Sequence, residues 1–184
     1  MQRAWFAGFA VVFILRLVAE ARVKPRDTES RPSQRGKVSL QLLSLPFLVS
    51  AFATGFLLWR NGGGNPVLFV AGLVLFAAGF AGRMSALRKL GRSYSLYIDP
   101  APTEALRTGG IYSRIRHPVY AFYLLETLSL AIIRPNLVSL VSLVLVALAA
   151  AWRIYKEECA LLARYGEEYR EYMKRTNRLL PWIC

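Results

Sequence analysis

The stretch Arg116–Glu158, RHPVYAFYLLETLSLAIIRPNLVSLVSLVLVALAAAWRIYKEE, decides how this chain folds. It opens on a histidine and a proline, runs apolar through Pro118–Ile133, and breaks at Arg134-Pro135-Asn136. It then returns apolar through Leu137–Tyr155 to Arg153 and the pair Glu157-Glu158. Two apolar runs joined by a three-residue break read as a helical hairpin. The hairpin brings both polar ends, His117 on one side and Arg153 to Glu158 on the other, to the same membrane face. Ionisable groups are costly to keep where helices leave a bilayer, so their concentration there marks a site.

Three further apolar runs precede the hairpin, at Ala4–Ala19, Leu40–Trp59 and Pro66–Met84. Each approaches the roughly 20 residues that a bilayer crossing needs. With 55% hydrophobic residues, the chain is too apolar for a soluble domain of this length. The reading is an all-α, polytopic membrane protein of about five transmembrane helices and a single domain. Residues 1–89 form a membrane scaffold, and 90–184 form the region that carries chemistry. Asn61–Asn65 is a tight turn pairing the second and third spans. The third span carries Gly72, Gly79 and Gly82 among alanines, a surface of small residues suited to close helix packing.

The formal net charge of +13 could point to nucleic acid, but its placement points to membrane topology. Basic residues crowd Arg22–Lys37, Arg83–Arg116 and the segment from Arg153 onward, while the opposite turns hold only Arg60 and Arg134. This asymmetry predicts an outer N-terminus and a cytoplasmic C-terminus. Ala19-Glu20-Ala21 has the look of a signal-peptidase site. Arg16 interrupts the preceding run, however, so a retained helix is expected, with Arg16 reaching toward the inner headgroups. Cys159 and Cys184 have neither metal-ligand spacing nor a partner motif, and Cys184 lacks the residues of a prenylation box. No metal site is expected.

Several residues invite two readings. His117 before Pro118 places an imidazole at a helix N-terminus, where electron-rich ligand groups are favoured. Tyr112, Tyr120 and Tyr123 supply flat faces nearby, or form an interfacial aromatic belt. Arg153 and Glu157 stand four apart on one helix face, which by itself reads as an i,i+4 ion pair. Glu126, inside the fourth span, requires a partner that the sequence does not name.

Together these residues resemble the isoprenylcysteine carboxyl methyltransferase family of integral membrane enzymes, which use S-adenosylmethionine. The resemblance runs from about Leu90 onward. It rests on Leu106-Arg107-Thr108-Gly109-Gly110-Ile111-Tyr112, on Arg116-His117-Pro118-Val119-Tyr120, and on Arg153, Glu157-Glu158 and Tyr165–Tyr169 through Leu180-Pro181. It implies cofactor contacts from Glu104, Ala105, Leu106, Arg107, Tyr112, His117, Pro118, Val119, Tyr120 and Glu157, and a substrate contact from Arg153. It also implies methyl transfer to the carboxylate of a prenylated cysteine, on a small molecule or a protein C-terminus, leaving S-adenosylhomocysteine. Phe122 stands where the family commonly has Gly, and Asn177 where it has Pro before Arg178. Alternatives are methyl transfer to a phospholipid amine or a small thiol, an NADPH-dependent sterol-type reductase, and a non-catalytic scaffold. No dinucleotide glycine fingerprint supports the reductase.

Overall fold

The computed structural model describes residues 2–22, 34–62, 64–91 and 106–179. Among the described residues six α-helices make the architecture: α1 (Gln2–Ala21), α2 (Gln34–Asn61), α3 (Pro66–Leu90), α4 (Pro118–Ile133), α5 (Leu137–Tyr165) and the short α6 (Glu167–Lys174). The expected apolar runs are the cores of α1 to α5, and α4 has the bounds read from sequence. α1, α2, α3 and α5 are long and apolar enough to cross a membrane, whereas α4 has 16 residues. The chain is a multi-pass integral membrane protein.

Helix ends follow local chemistry. Asn65 caps α3, its side chain accepting from the Val67 and Leu68 amides, with Pro66 in the first turn. Asn136 caps α5 by accepting from Ser139 N at 2.9 Å. Each cap satisfies amide donors that a helix start leaves open.

The helices close a ring in the order α1, α2, α5, α4, α3 and back to α1. α3 thus packs chiefly on α4, not on α2 to which the tight turn joins it. The small-residue face explains why. A Cβ at Gly79 would stand 3.1 Å from the Glu126 amide nitrogen and the Phe122 carbonyl oxygen, and one at Gly72 2.8 Å from Ile133 N. Only glycine lets the two backbones approach so closely.

At the centre lies the partner that Glu126 requires. Its carboxylate, fully buried, accepts from Arg83 Nε at 2.5 Å and from Arg16 Nε at 2.9 Å. Glu20 completes the set at 2.9 Å from both Arg83 and Arg16. Arg16 is therefore turned inward rather than toward the headgroups. Its guanidinium lies 4.4 Å from the Phe47 ring centroid, and that of Arg83 5.5 Å from Tyr123. Two cations and two carboxylates leave the cluster neutral while joining α1, α3 and α4.

Removing one member of such a buried set leaves an uncompensated charge, at a cost on the order of 3 kcal/mol. Glu126→Gln is expected to lower the thermal unfolding midpoint of detergent-purified protein clearly. Glu126→Gln with Arg16→Gln, which restores neutrality, should recover part of the loss. The midpoints from tryptophan fluorescence check this.

Candidate functional site

α4 begins at the end of the bundle opposite the Arg134–Asn136 turn, with His117 as its cap residue and Pro118 in the first turn. From there His117, Tyr120, Tyr123 and Glu126 follow at intervals of three, a polar row that winds about half a turn around the helix and so meets different neighbours along its length. Tyr123 turns toward α2, its hydroxyl 3.5 Å from the Leu43 carbonyl oxygen. Tyr120 turns toward α5. Its hydroxyl accepts from Arg153 Nε at 2.9 Å and donates to Glu157. Arg153 NH2 also stands 3.6 Å from Glu157 Oε1, so the i,i+4 pair exists within a larger network.

The helix lengths place this network in depth. Arg153 follows the start of α5 by about 24 Å at 1.5 Å per residue, short of the roughly 30 Å of a hydrocarbon core. Arg153 and Tyr120 are buried while Glu157 is partly exposed. The arrangement is a largely buried arginine, tyrosine and carboxylate set near one membrane boundary.

His117, also buried, lies between two carboxylates: Nδ1 is 3.7 Å from Glu157 Oε2, and Nε2 is 3.4 Å from Glu158 Oε1. Nε2 has no hydrogen-bond partner among the described residues, and neither does the buried Tyr169 hydroxyl. Buried polar atoms are ordinarily paired, so unpaired ones beside a site are candidates for a ligand contact.

Glu158, which the sequence reading did not single out, organises this end of the molecule. It accepts from Arg116 Nε at 3.1 Å and from Arg178 NH2 at 2.6 Å. The backbone adds to this tie. Arg116 N donates to Asn177 O at 2.8 Å, His117 N to Arg178 O at 3.0 Å, and Asn177 N to Arg114 O at 3.0 Å. The departure at 177 thereby gains a function, because a proline there has no N–H to donate. Phe122, the other departure, directs its ring at Gly82 of α3 and fills the space a side chain would take there.

The remaining predicted residues are spread around this core. Tyr112 sits in a single 3-10 turn, Gly110–Ser113; it is buried, its hydroxyl 3.4 Å from Ala86 O. Its carbonyl accepts from the Tyr172 hydroxyl at 2.6 Å, which ties the turn to α6. Burial holds the Tyr112 phenol far above its ordinary range and raises that of Tyr172 to about 12, so both stay protonated donors. Pro118 is buried and Val119 half-buried on α4. Leu106, half-buried, and Arg107, exposed, lie in irregular chain before the turn. Glu104 and Ala105 fall outside the described residues.

Known proteins match this arrangement. The sequence profile of the phospholipid methyltransferase family matches residues 67–168. The human protein-S-isoprenylcysteine O-methyltransferase is 30% identical over 123 residues, which cover 63% of this chain and 42% of the human one. The relative of that name from Schizosaccharomyces pombe is 33% identical over 105 residues, 55% of this chain and 44% of the yeast one. The chain thus spans less than half the length of these curated relatives. A solved eukaryotic intramembrane Ras methyltransferase, isoprenylcysteine carboxyl methyltransferase, superposes with a TM-score of 0.69 at 22% identity. The superposition covers 99% of this chain and 68% of the other. In sequence and fold the chain is similar to isoprenylcysteine carboxyl methyltransferases, and it belongs to the phospholipid methyltransferase family.

Proposed function

We propose that this protein transfers a methyl group from S-adenosylmethionine to a lipophilic carboxylate, the α-carboxylate of an isoprenylated cysteine, at the cytoplasmic face of the membrane. The observation that carries this reading is the buried Arg153 held at 2.9 Å by the Tyr120 hydroxyl, beside Glu157. In this reading α1 to α3 are the scaffold, and residues 90–184 carry the chemistry.

The residues present fit the cofactor by their chemistry. Carboxylates at Glu157 and Glu158 suit a cationic group, the unpaired Nε2 of His117 suits a polar one, and Tyr112 and Tyr120 offer aromatic faces. Leu106, Arg107, Pro118 and Val119 would complete the cradle, with Glu104 and Ala105 contributing from the preceding chain. When bound, S-adenosylmethionine supplies an electrophilic methyl on a sulfonium. A carboxylate is already ionised at pH 7 and needs no base. It needs a cation to hold it in line, and a planar guanidinium meets two carboxylate oxygens at once. Tyr120, bonded to both Arg153 and Glu157, fixes the guanidinium that would hold the substrate relative to the carboxylate that would hold the cofactor. Burial keeps water away from reactants whose opposite charges cancel on reaction, which favours the neutral products. The prenyl tail of the substrate would lie among the helices, level with the hydrocarbon that Arg153 reaches.

A phospholipid amine is the second reading. An amine must lose a proton, and His117 between Glu157 and Glu158 offers a base for it.

Arg153→Lys keeps the charge but loses the planar fork. Turnover of a prenylated cysteine analogue should fall at least tenfold, about 1.4 kcal/mol of transition-state stabilisation, while affinity for S-adenosylhomocysteine stays near wild type. Intact turnover would return Arg153 to a simple ion pair, which a lysine preserves. Methylation of phosphatidylethanolamine by wild-type protein, with none of the cysteine analogue, would favour the amine.

Glu157→Gln should weaken S-adenosylhomocysteine binding at least tenfold by calorimetry while the protein remains monodisperse. Unchanged affinity would remove Glu157 from the cofactor site.

Orientation is tested by labelling single cysteines, on a background lacking Cys159 and Cys184, with an impermeant reagent in intact cells. Asn61–Asn65 and Arg134–Asn136 should label, and residues 164–178 should not. Strong outside labelling of 164–178 would overturn the cytoplasmic site.

A further inference from the structure

A second polar concavity lies apart from the Arg153 network. Where α3 ends, Ser85, Arg88 and Lys89 together with Gly110 and Ile111 line a cavity of about 320 Å³. At 1.5 Å per residue, Arg88 follows the start of α3 by about 33 Å, just beyond a hydrocarbon core of roughly 30 Å. The cavity therefore opens at the depth of the lipid headgroups. Arg83, a turn and a half earlier, is already inside the bundle and paired with Glu126 and Glu20.

Some of the other exposed cations are already paired. Arg170 is paired with Glu167 and Lys174 with Glu171. Arg88 and Lys89 have no acidic partner among the described residues, although both are exposed at the rim of the concavity. Gly110 shapes the other wall. Its φ is +68°, and a Cβ there would stand 3.2 Å from Lys89 Cε, so the absent side chain leaves room for the lysine stem to cross the turn. A hydroxyl, a guanidinium, an ammonium and a headgroup-level opening are the elements that recognise a phosphate ester.

We propose that this cavity binds the phosphate of an anionic phospholipid headgroup, with Arg88 and Lys89 as its charge partners and the Ser85 hydroxyl as a further donor. The lipid seats the inner end of α3 against the 3-10 turn that carries Tyr112. Cationic clefts between helix ends on the inner side suit such headgroups, whereas a zwitterionic headgroup offers no net charge to hold. The assignment rests on this cavity alone and is independent of the methyl-transfer reading.

The test uses the full chain purified in detergent, titrated with short-chain phosphatidylglycerol or phosphatidylcholine and read by native mass spectrometry and thermal midpoint. Phosphatidylglycerol should bind and raise the midpoint, and phosphatidylcholine should do neither. Arg88→Gln with Lys89→Gln should weaken phosphatidylglycerol by about fivefold for each cation removed. Lys174→Gln with Arg175→Gln, which removes the same charge elsewhere, should leave it within twofold. Equal loss in both double variants would reduce the effect to general electrostatics and overturn the site, as would wild-type binding in the first. Inorganic phosphate displacing the lipid at equal concentration would assign the cavity to free anions instead and overturn the lipid.

Discussion

A carboxylate placed inside a membrane bundle must be neutralised where it stands, because no water can reach it and no solvent screens it. Glu126 meets that demand with arginines from two other helices, and the remaining architecture accommodates the choice. α1, little of which is buried in the bundle, is held at its C-terminal end by Arg16 and Glu20. α3 is drawn onto α4 near Gly79, which sits directly against the Glu126 backbone. With α4 fixed in rotation, Tyr123 is turned toward α2 and Tyr120 toward α5. The structural pairing in the middle of the bundle and the polar cluster at its end are therefore carried by one helix. The first is fully compensated, and the second is left with an unpaired imidazole nitrogen.

Much of this was legible from the chain. The bounds of α4, the break at Arg134–Asn136 and the meeting of His117 with Glu157 follow from hydrophobic run length and from the proximity that a short turn enforces. The need for a partner at Glu126 was legible too, but its identity was not. Arg16 is 110 residues away, and nothing in a local pattern distinguishes an arginine that reaches the headgroups from one that turns inward. The role of Glu158 was not legible for a related reason. Beside Glu157 it looks like surplus charge on a solvated helix end, and only the return of Arg178 shows that it is a joint. The packing of α3 on α4 in place of α2 is likewise a property of the whole ring, since a tight turn brings two helix ends together without choosing which faces meet.

The tie between Arg114–His117 and Asn177–Arg178 has a bearing on how the protein is made. Helices α1 to α5 each carry enough apolar length or local pairing to enter the bilayer as they emerge. The backbone bonds that secure the His117 turn, by contrast, join Arg116 to Asn177 and His117 to Arg178, positions far apart in the chain. A nascent chain can therefore reach its full membrane topology while the cluster around Glu158 is still incomplete. Insertion and maturation of the site are separate events, and the second waits until the segment after α6 has left the ribosome.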